Sequence, residues 1–147
     1  MAKPLAKTGT VAKAIIRRRP DDAYLVLWSS KWPERPERSQ KPDFPGGEVE
    51  FNETSEVGCV REILEEVGIT VPPSELHLVY AMTYYYEKDN FWVNRLVYFA
   101  EIEDSDVILS SEHEKYAWLS ARELEELEIR PPYKEIITNL IQRGIIS

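Results

Sequence analysis

Apolar residues recur along this chain with two different periods. Residues 9–16 (GTVAKAII) and 24–28 (YLVLW) are apolar and partly β-branched, and predict two strands separated by the turn material RRRPDD. From Ser55 to Val67 the period becomes helical: Val57, Val60, Ile63, Leu64 and Val67 fall within an arc of roughly 120°, a core-facing stripe. Thr54 suits the N-cap and Gly68 the residue after the last turn. The stretches 76–87 (LHLVYAMTYYYE) and 91–102 (FWVNRLVYFAEI) predict a long hairpin turning at Lys88-Asp89-Asn90. YAWL (116–119) predicts a further strand, Ser120 with Glu123 a capping box, and Pro131-Pro132 the start of a last helix ending near Gly144.

Residues 29–45 break these patterns with four prolines, seven formal charges and no periodicity. This is a long loop of the kind that is usually functional or disordered. Gly46-Gly47 ends it, and Glu48-Val49-Glu50 suits a short strand. Strands, helix, hairpin and helix in this order predict an α/β (α+β) layered domain with a mixed sheet. At 147 residues, one domain (1–147) is expected.

Composition narrows the partners. A net charge of −8 argues against a nucleic-acid polymer or an anionic membrane as main partner. It leaves room for a small phosphorylated ligand that brings a cation. One cysteine, Cys59, at the margin of the acidic patch described next, fits a reducing compartment. No apolar run approaches about 18 residues, and MAKPLAKTGT lacks a secretory leader, so a soluble cytoplasmic protein is expected.

The candidate chemistry lies on the predicted helix. Glu62, Glu65 and Glu66 occupy a second arc, turned away from the apolar stripe. At ~5.5 Å and an effective dielectric of ~20, each pair would repel by roughly 3 kcal/mol. An acidic helix face is ordinarily a solvated surface. Here Arg61 stands beside it, Glu53 at the helix entrance and two glycines just before, where backbone comes close to something. Clustered carboxylates suit a hard cation such as Mg²⁺, which also bridges to phosphate oxygens. On that reading the patch is destabilising without metal and becomes a ligand set with it.

Residues 47–69, GEVEFNETSEVGCVREILEEVGI, resemble the Nudix box, Gly-x5-Glu-x7-Arg-Glu-U-x-Glu-Glu-x-Gly-U with U apolar. Gly47, Glu53, Arg61, Glu62, Ile63, Glu65, Glu66, Gly68 and Ile69 fill every specified position. A chance match to the seven single-residue requirements is below roughly 10⁻⁷ per starting point. The resemblance implies an α/β/α sandwich and Mg²⁺-dependent hydrolysis of a nucleoside diphosphate linked to another group, with Mn²⁺ able to substitute. The leading expectation is a nucleoside triphosphate cleaved to monophosphate and pyrophosphate. A dinucleoside polyphosphate or dihydroneopterin triphosphate is the nearest alternative, and a nucleotide-sensing module without turnover is the other.

The resemblance also implies roles. Glu62, Glu65 and Glu66 would bind metal, Arg61 would orient a neighbouring glutamate, and Glu53 would fix the loop–helix geometry or bind metal. Gly46 and Gly47 would let substrate approach. SSEHEKYAWLSAREL (110–124) is similar to Glu-His…Trp-Leu segments of some relatives. It makes Glu112 a candidate further ligand or general base and His113 a candidate phosphate contact. Of the hairpin aromatics, alternate ones would enter the core, and one or two, Tyr84 among them, are candidates to stack on a base. His77 reads as structural. A small-molecule nucleotide is the expected partner, with the chain a monomer or homodimer. Gly58, which the box leaves open, falls within the glutamate arc, and the expectation is that substrate needs a small residue there.

Overall fold

The computed structural model describes residues 4–147. Its backbone is one seven-stranded mixed sheet with helices on both faces. The strands are β1 (Thr8–Arg18), β2 (Ala23–Ser29), β3 (Pro42–Asp43), β4 (Gly46–Glu48), β5 (His77–Tyr86), β6 (Phe91–Ile102) and β7 (His113–Leu119). The helices are α1 (Ser55–Val67), α2 (Ala121–Glu126) and α3 (Tyr133–Gln142). The main path runs β3-β2-β1-β6-β5, with β7 on β2 and β4 on β1. Among the described residues no helix is long and apolar enough to cross a membrane.

The alternation in β1 divides the core. Ala12, Ala14 and Ile16 pack toward α1, with Leu25, Leu27, Cys59, Ile63, Val67 and Tyr98. Ile15 faces the other way, into a cluster with Tyr24, Phe44, Val97, Tyr133, Ile136, Ile137 and Leu140. Burying side chains such as Ile63 or Leu140 contributes roughly 1.5–3 kcal/mol each, which is why α1 and α3 dock on opposite faces.

One feature of β1 positions the site. It lies parallel to β6 along its whole length, but its other edge is shared. Arg17 and Arg18 pair with β2, whereas Val11, Ala12 and Lys13 pair with β4. The segment Pro42–Glu48 is wedged into this fork, with Ala14 N–H donating to Pro45 O at 2.8 Å. The long loop therefore carries a short strand, Pro42–Asp43, and the second expected strand sits at Gly46–Glu48 rather than 48–50. The strand expected at 116–119 begins at His113, because its pairing with β2 continues past a bulge to Ser29.

Helix α1 has the expected ends. Thr54 Oγ1 accepts from Val57 N–H at 3.2 Å, and Gly68, at φ 71°, closes the last turn onto Leu64 O. Its rotation departs from the wheel. Val57 and Leu64 are exposed, whereas Gly58, Cys59, Ile63, Glu66 and Val67 are buried. Cys59 is thus a core residue rather than a margin of the acidic patch, and burial pushes its thiol up to about 12.

Candidate active site

Arg61 sits at the centre of the acidic patch. Its Nε and Nη2 donate to the two oxygens of Glu53 at 3.0 and 2.8 Å. Nη1 donates to Glu62 Oε1 at 3.2 Å and to Glu65 Oε2 at 3.2 Å, and Nη2 also reaches Glu48 O. Glu50 N–H donates to Glu53 Oε1 as well, fixing the approach to α1. Hydrogen bonds from Arg61 and then from Glu50 hold the Glu53 carboxyl down to about 2, and Glu53 in turn raises the Arg61 guanidinium. The repulsion expected among these acids is therefore offset by one shared guanidinium. The patch is a paired network, not simply a strained one.

Glu66 is handled differently. The wheel turned it toward solvent; it is 5% exposed. Oε2 accepts from Gly46 N–H at 3.2 Å. Burial raises its carboxyl well above the ordinary range, while Lys13 and the Gly46 N–H pull the other way. The reason for its inward turn lies outside α1. Lys13 Nζ, on β1, donates to Asp43 Oδ2, Phe44 O and Gly46 O, each at 3.2 Å. This buried ammonium holds the wedged segment so that the Gly46 amide meets Glu66. Burial pulls Lys13 down, but Asp43, Tyr133 and Glu66 outweigh it and raise its pKa.

The glycines are dictated by contact. Gly46 has φ +134°, and a Cβ there would stand 2.1 Å from Ala12 O. A Cβ on Gly47 would lie 2.8 Å from the Glu62 carboxyl carbon, so the backbone rests directly on that carboxylate. Gly58 corrects the sequence expectation. The space above it is filled by Glu53, whose Oε1 would be 2.7 Å from an added Cβ. It is small so that the Glu53–Arg61 pair can lie over the helix, not to admit substrate.

The remaining candidates divide. The chain returning to β7 is zipped onto the end of α1, with Ile108 N–H on Val67 O and Ser110 N–H on Glu66 O. Glu112, exposed, follows two residues later, and its carbonyl accepts from Ser30 N–H. His113 is half-buried among Asp43, Lys13 and Glu112; burial lowers its imidazole, and Nδ1 has no partner. Tyr84 lies apart from these on the hairpin, 45% exposed, its ring packed edge-on against Tyr86. His77 is exposed at the start of β5. Lys13 and Asp43 were not singled out from the sequence. A lysine at an inward position of the apolar run GTVAKAII was the available signal.

The donor set is all carboxylate oxygen, which suits a hard divalent cation. Glu53, Glu62 and Glu65 share one guanidinium, and the Gly47 backbone lies against Glu62 with no room for a side chain. Among the described residues no three acids, histidines or cysteines stand ready as a cage. A cation would take over the Arg61 Nη1 contacts to Glu62 and Glu65, so the residues fit such an ion by chemistry.

Comparison with known proteins bears on the family and the fold. An 8-oxo-dGTP diphosphatase of Escherichia coli (strain K12) is 37% identical over 60 residues, which cover 41% of this chain and 43% of that protein. The chain thus spans less than half the length of that curated relative. The fold matches the MutT protein from Methanosarcina mazei Go1, with TM-score 0.75 and 23% identity over 97% of this chain and 99% of that one. It also matches a NUDIX hydrolase from Nitrosomonas europaea, with TM-score 0.70 and 23% identity over 94% and 90% of the two chains. A C. elegans Ap4A hydrolase gives TM-score 0.67 and 21% identity over 92% and 98%. The family model of the NUDIX domain matches residues 8–140, from the first strand through the last helix, and the chain belongs to the NUDIX family.

Proposed function

We propose that this chain is a pyrophosphohydrolase that cleaves the diphosphate linkage of a nucleoside diphosphate derivative. Its preferred substrate on this reading is a nucleoside triphosphate, released as monophosphate and pyrophosphate. The observation that carries the proposal is the stacking of the Gly46-Gly47 backbone on Glu62 and Glu66, beside the Arg61 network. A diphosphate brought there meets carboxylates on one helix face and a backbone with no side chains in the way. The relative's printed name, 8-oxo-dGTP diphosphatase, supports the same reaction class and makes that nucleotide the first to try.

Glu62, Glu65 and Glu66 would hold Mg²⁺ or Mn²⁺, with Glu112 as a candidate further ligand. Such an ion, when bound, neutralises diphosphate charge and lowers the pKa of water. The chain's own residues do the rest. Arg61 keeps Glu62 and Glu65 on one side of the helix, and Glu53 keeps Arg61 in place, acting as a positioning residue rather than a ligand. Lys13 holds Gly46 against Glu66. Glu112, carried past the end of α1, is the candidate general base; His113 is a candidate phosphate contact, and Tyr84 a candidate stacking partner for a base.

Incubation with a panel of nucleotides in ¹⁸O-labelled water, with products identified by mass spectrometry, tests the proposal. Monophosphate and pyrophosphate, one of them labelled, are expected. Nucleotide binding without any release of product would make the chain a sensor and overturn the hydrolase reading.

A further inference from the structure

Three charged side chains are buried in the described residues: Lys13, Glu66 and Arg95. The first two have partners. Arg95, on β6 and 6% exposed, does not: Nε and Nη1 are buried without any hydrogen-bond acceptor. No carboxylate lies within ion-pair distance of it among the described residues. Its polar neighbours are Tyr86 Oη, a long contact of 3.5 Å from Nη2, and, without hydrogen-bonding geometry, the Tyr133 hydroxyl. The guanidinium stands over the Tyr133 ring at 5.2 Å, and that tyrosine's hydroxyl is likewise buried and unpartnered. A native structure rarely leaves a buried guanidinium in this condition, and each instance asks for a missing partner.

Its surroundings indicate the partner. Register pairs Arg95 with Val11 and Val97 with Lys13, so Arg95 and Lys13 stand on one face of adjacent strands. Arg130 lies against the same Tyr133 ring at 5.1 Å. Three cations therefore surround Tyr133, against Asp43, which Lys13 and Arg130 already share, and Glu66 beyond Lys13. In a chain of net charge −8 this is a local excess of positive charge. The walls are aromatic, with Phe44 5.9 Å from Tyr133 and Tyr86 on the solvent side. Free donors inside aromatic walls suit a flat ring bearing an oxygen acceptor. Lys13 links this face to Gly46 and hence to Glu66.

We propose that Arg95, with the Tyr133 hydroxyl, receives a ring carbonyl of the substrate's base, Tyr86 turning aside to admit it. This rests on the reading of the substrate as a nucleotide. Arg95 then determines specificity, favouring bases that carry an oxo group over rings that lack one.

Calorimetric binding of monophosphates in chelator tests this without hydrolysis. Inosine 5′-monophosphate carries a ring carbonyl and the adjacent N1–H, where purine riboside 5′-monophosphate has a C–H and a bare ring nitrogen. Wild type should bind the first about tenfold or more tighter, in line with a hydrogen bond to a charged donor. Arg95→Met should erase that difference and leave purine riboside monophosphate and pyrophosphate binding unchanged, with an unchanged or higher melting temperature. Arg95→Lys should restore part of the preference, and Tyr133→Phe should lose part of it. Equal weakening of both nucleotides and of pyrophosphate would overturn the proposal in favour of a phosphate contact. Binding of neither nucleotide by wild type would overturn it outright. A carbonyl preference that persists in a protein without turnover would retain this subsite while removing the hydrolase reading.

Discussion

On the α1 face, Glu50, Glu53, Glu62 and Glu65 all lie within 4 Å of a single guanidinium, Arg61. On the α3 face the balance is reversed, with Lys13, Arg95 and Arg130 around Tyr133, Asp43 paired with the first and last of them and Glu66 reaching Lys13 from beyond. The acidic face is partly open, Glu65 having 57% of its side chain exposed, so solvent screens it and its charge tolerates change. On the cationic face Lys13 and Arg95 are buried, and there the loss of one partner leaves another charge stranded. One region therefore tolerates the loss of a charge and the other does not, and the two are joined at Gly46.

Glu65→Gln and Glu66→Gln test the acidic half and should have the largest effect. Loss of groups that merely support a metal ligand costs ~10–100-fold, so loss of a ligand should lower kcat by more. Without metal both variants should melt at or slightly above wild type, since the amide oxygen still accepts and one acid fewer faces Glu62. A marked drop in melting temperature would make the patch structural.

Lys13→Met should show the contrast. It strands Asp43 with Arg130 alone and releases Phe44 O and Gly46 O, and removing one partner of a buried pair costs about 3–5 kcal/mol. Denaturant melts measure this; a loss under ~1 kcal/mol would mean that the wedge holds itself. Glu112→Gln should lower kcat by roughly 100-fold with little change in KM if Glu112 is the base. Wild-type rates would return it to the surface loop.

The smallest effects sharpen the geometry. Gly58→Ala should destabilise by about 1 kcal/mol, because displacing Glu53 from Arg61 outweighs the gain in helix propensity. In a Glu53→Ala background the same change should become stabilising, and equal effects in both backgrounds would remove the contact from the account. Cys59, buried with its thiol raised to about 12, should resist alkylation at pH 8 until the chain is unfolded.

Much of the α1 face was legible because its information is local. Thr54 and Gly68 delimit the helix, and Arg61, Glu62, Glu65 and Glu66 lie within six consecutive residues. What the helical wheel could not supply was rotation. Glu66 turns inward because of Gly46, twenty residues earlier, and Lys13 on a different strand. Gly58 was misread for the same reason, since Glu53 folds back over it from outside the helix. The α3 face was nearly illegible, being assembled from positions 13, 43, 95, 130 and 133. Only the interruption of two apolar strands by Lys13 and Arg95 marked it.

The central claim is that the carboxylates of REILEEVG serve a divalent cation in hydrolysis. Its most direct test is turnover of a nucleoside triphosphate panel, including 8-oxo-dGTP, titrated with Mg²⁺ and Mn²⁺ and then with excess chelator. Pyrophosphate release should rise to saturation with either ion, vanish in chelator, and be almost absent in Glu66→Gln at every ion concentration. Full turnover in excess chelator, or an unchanged titration in Glu66→Gln, would contradict it.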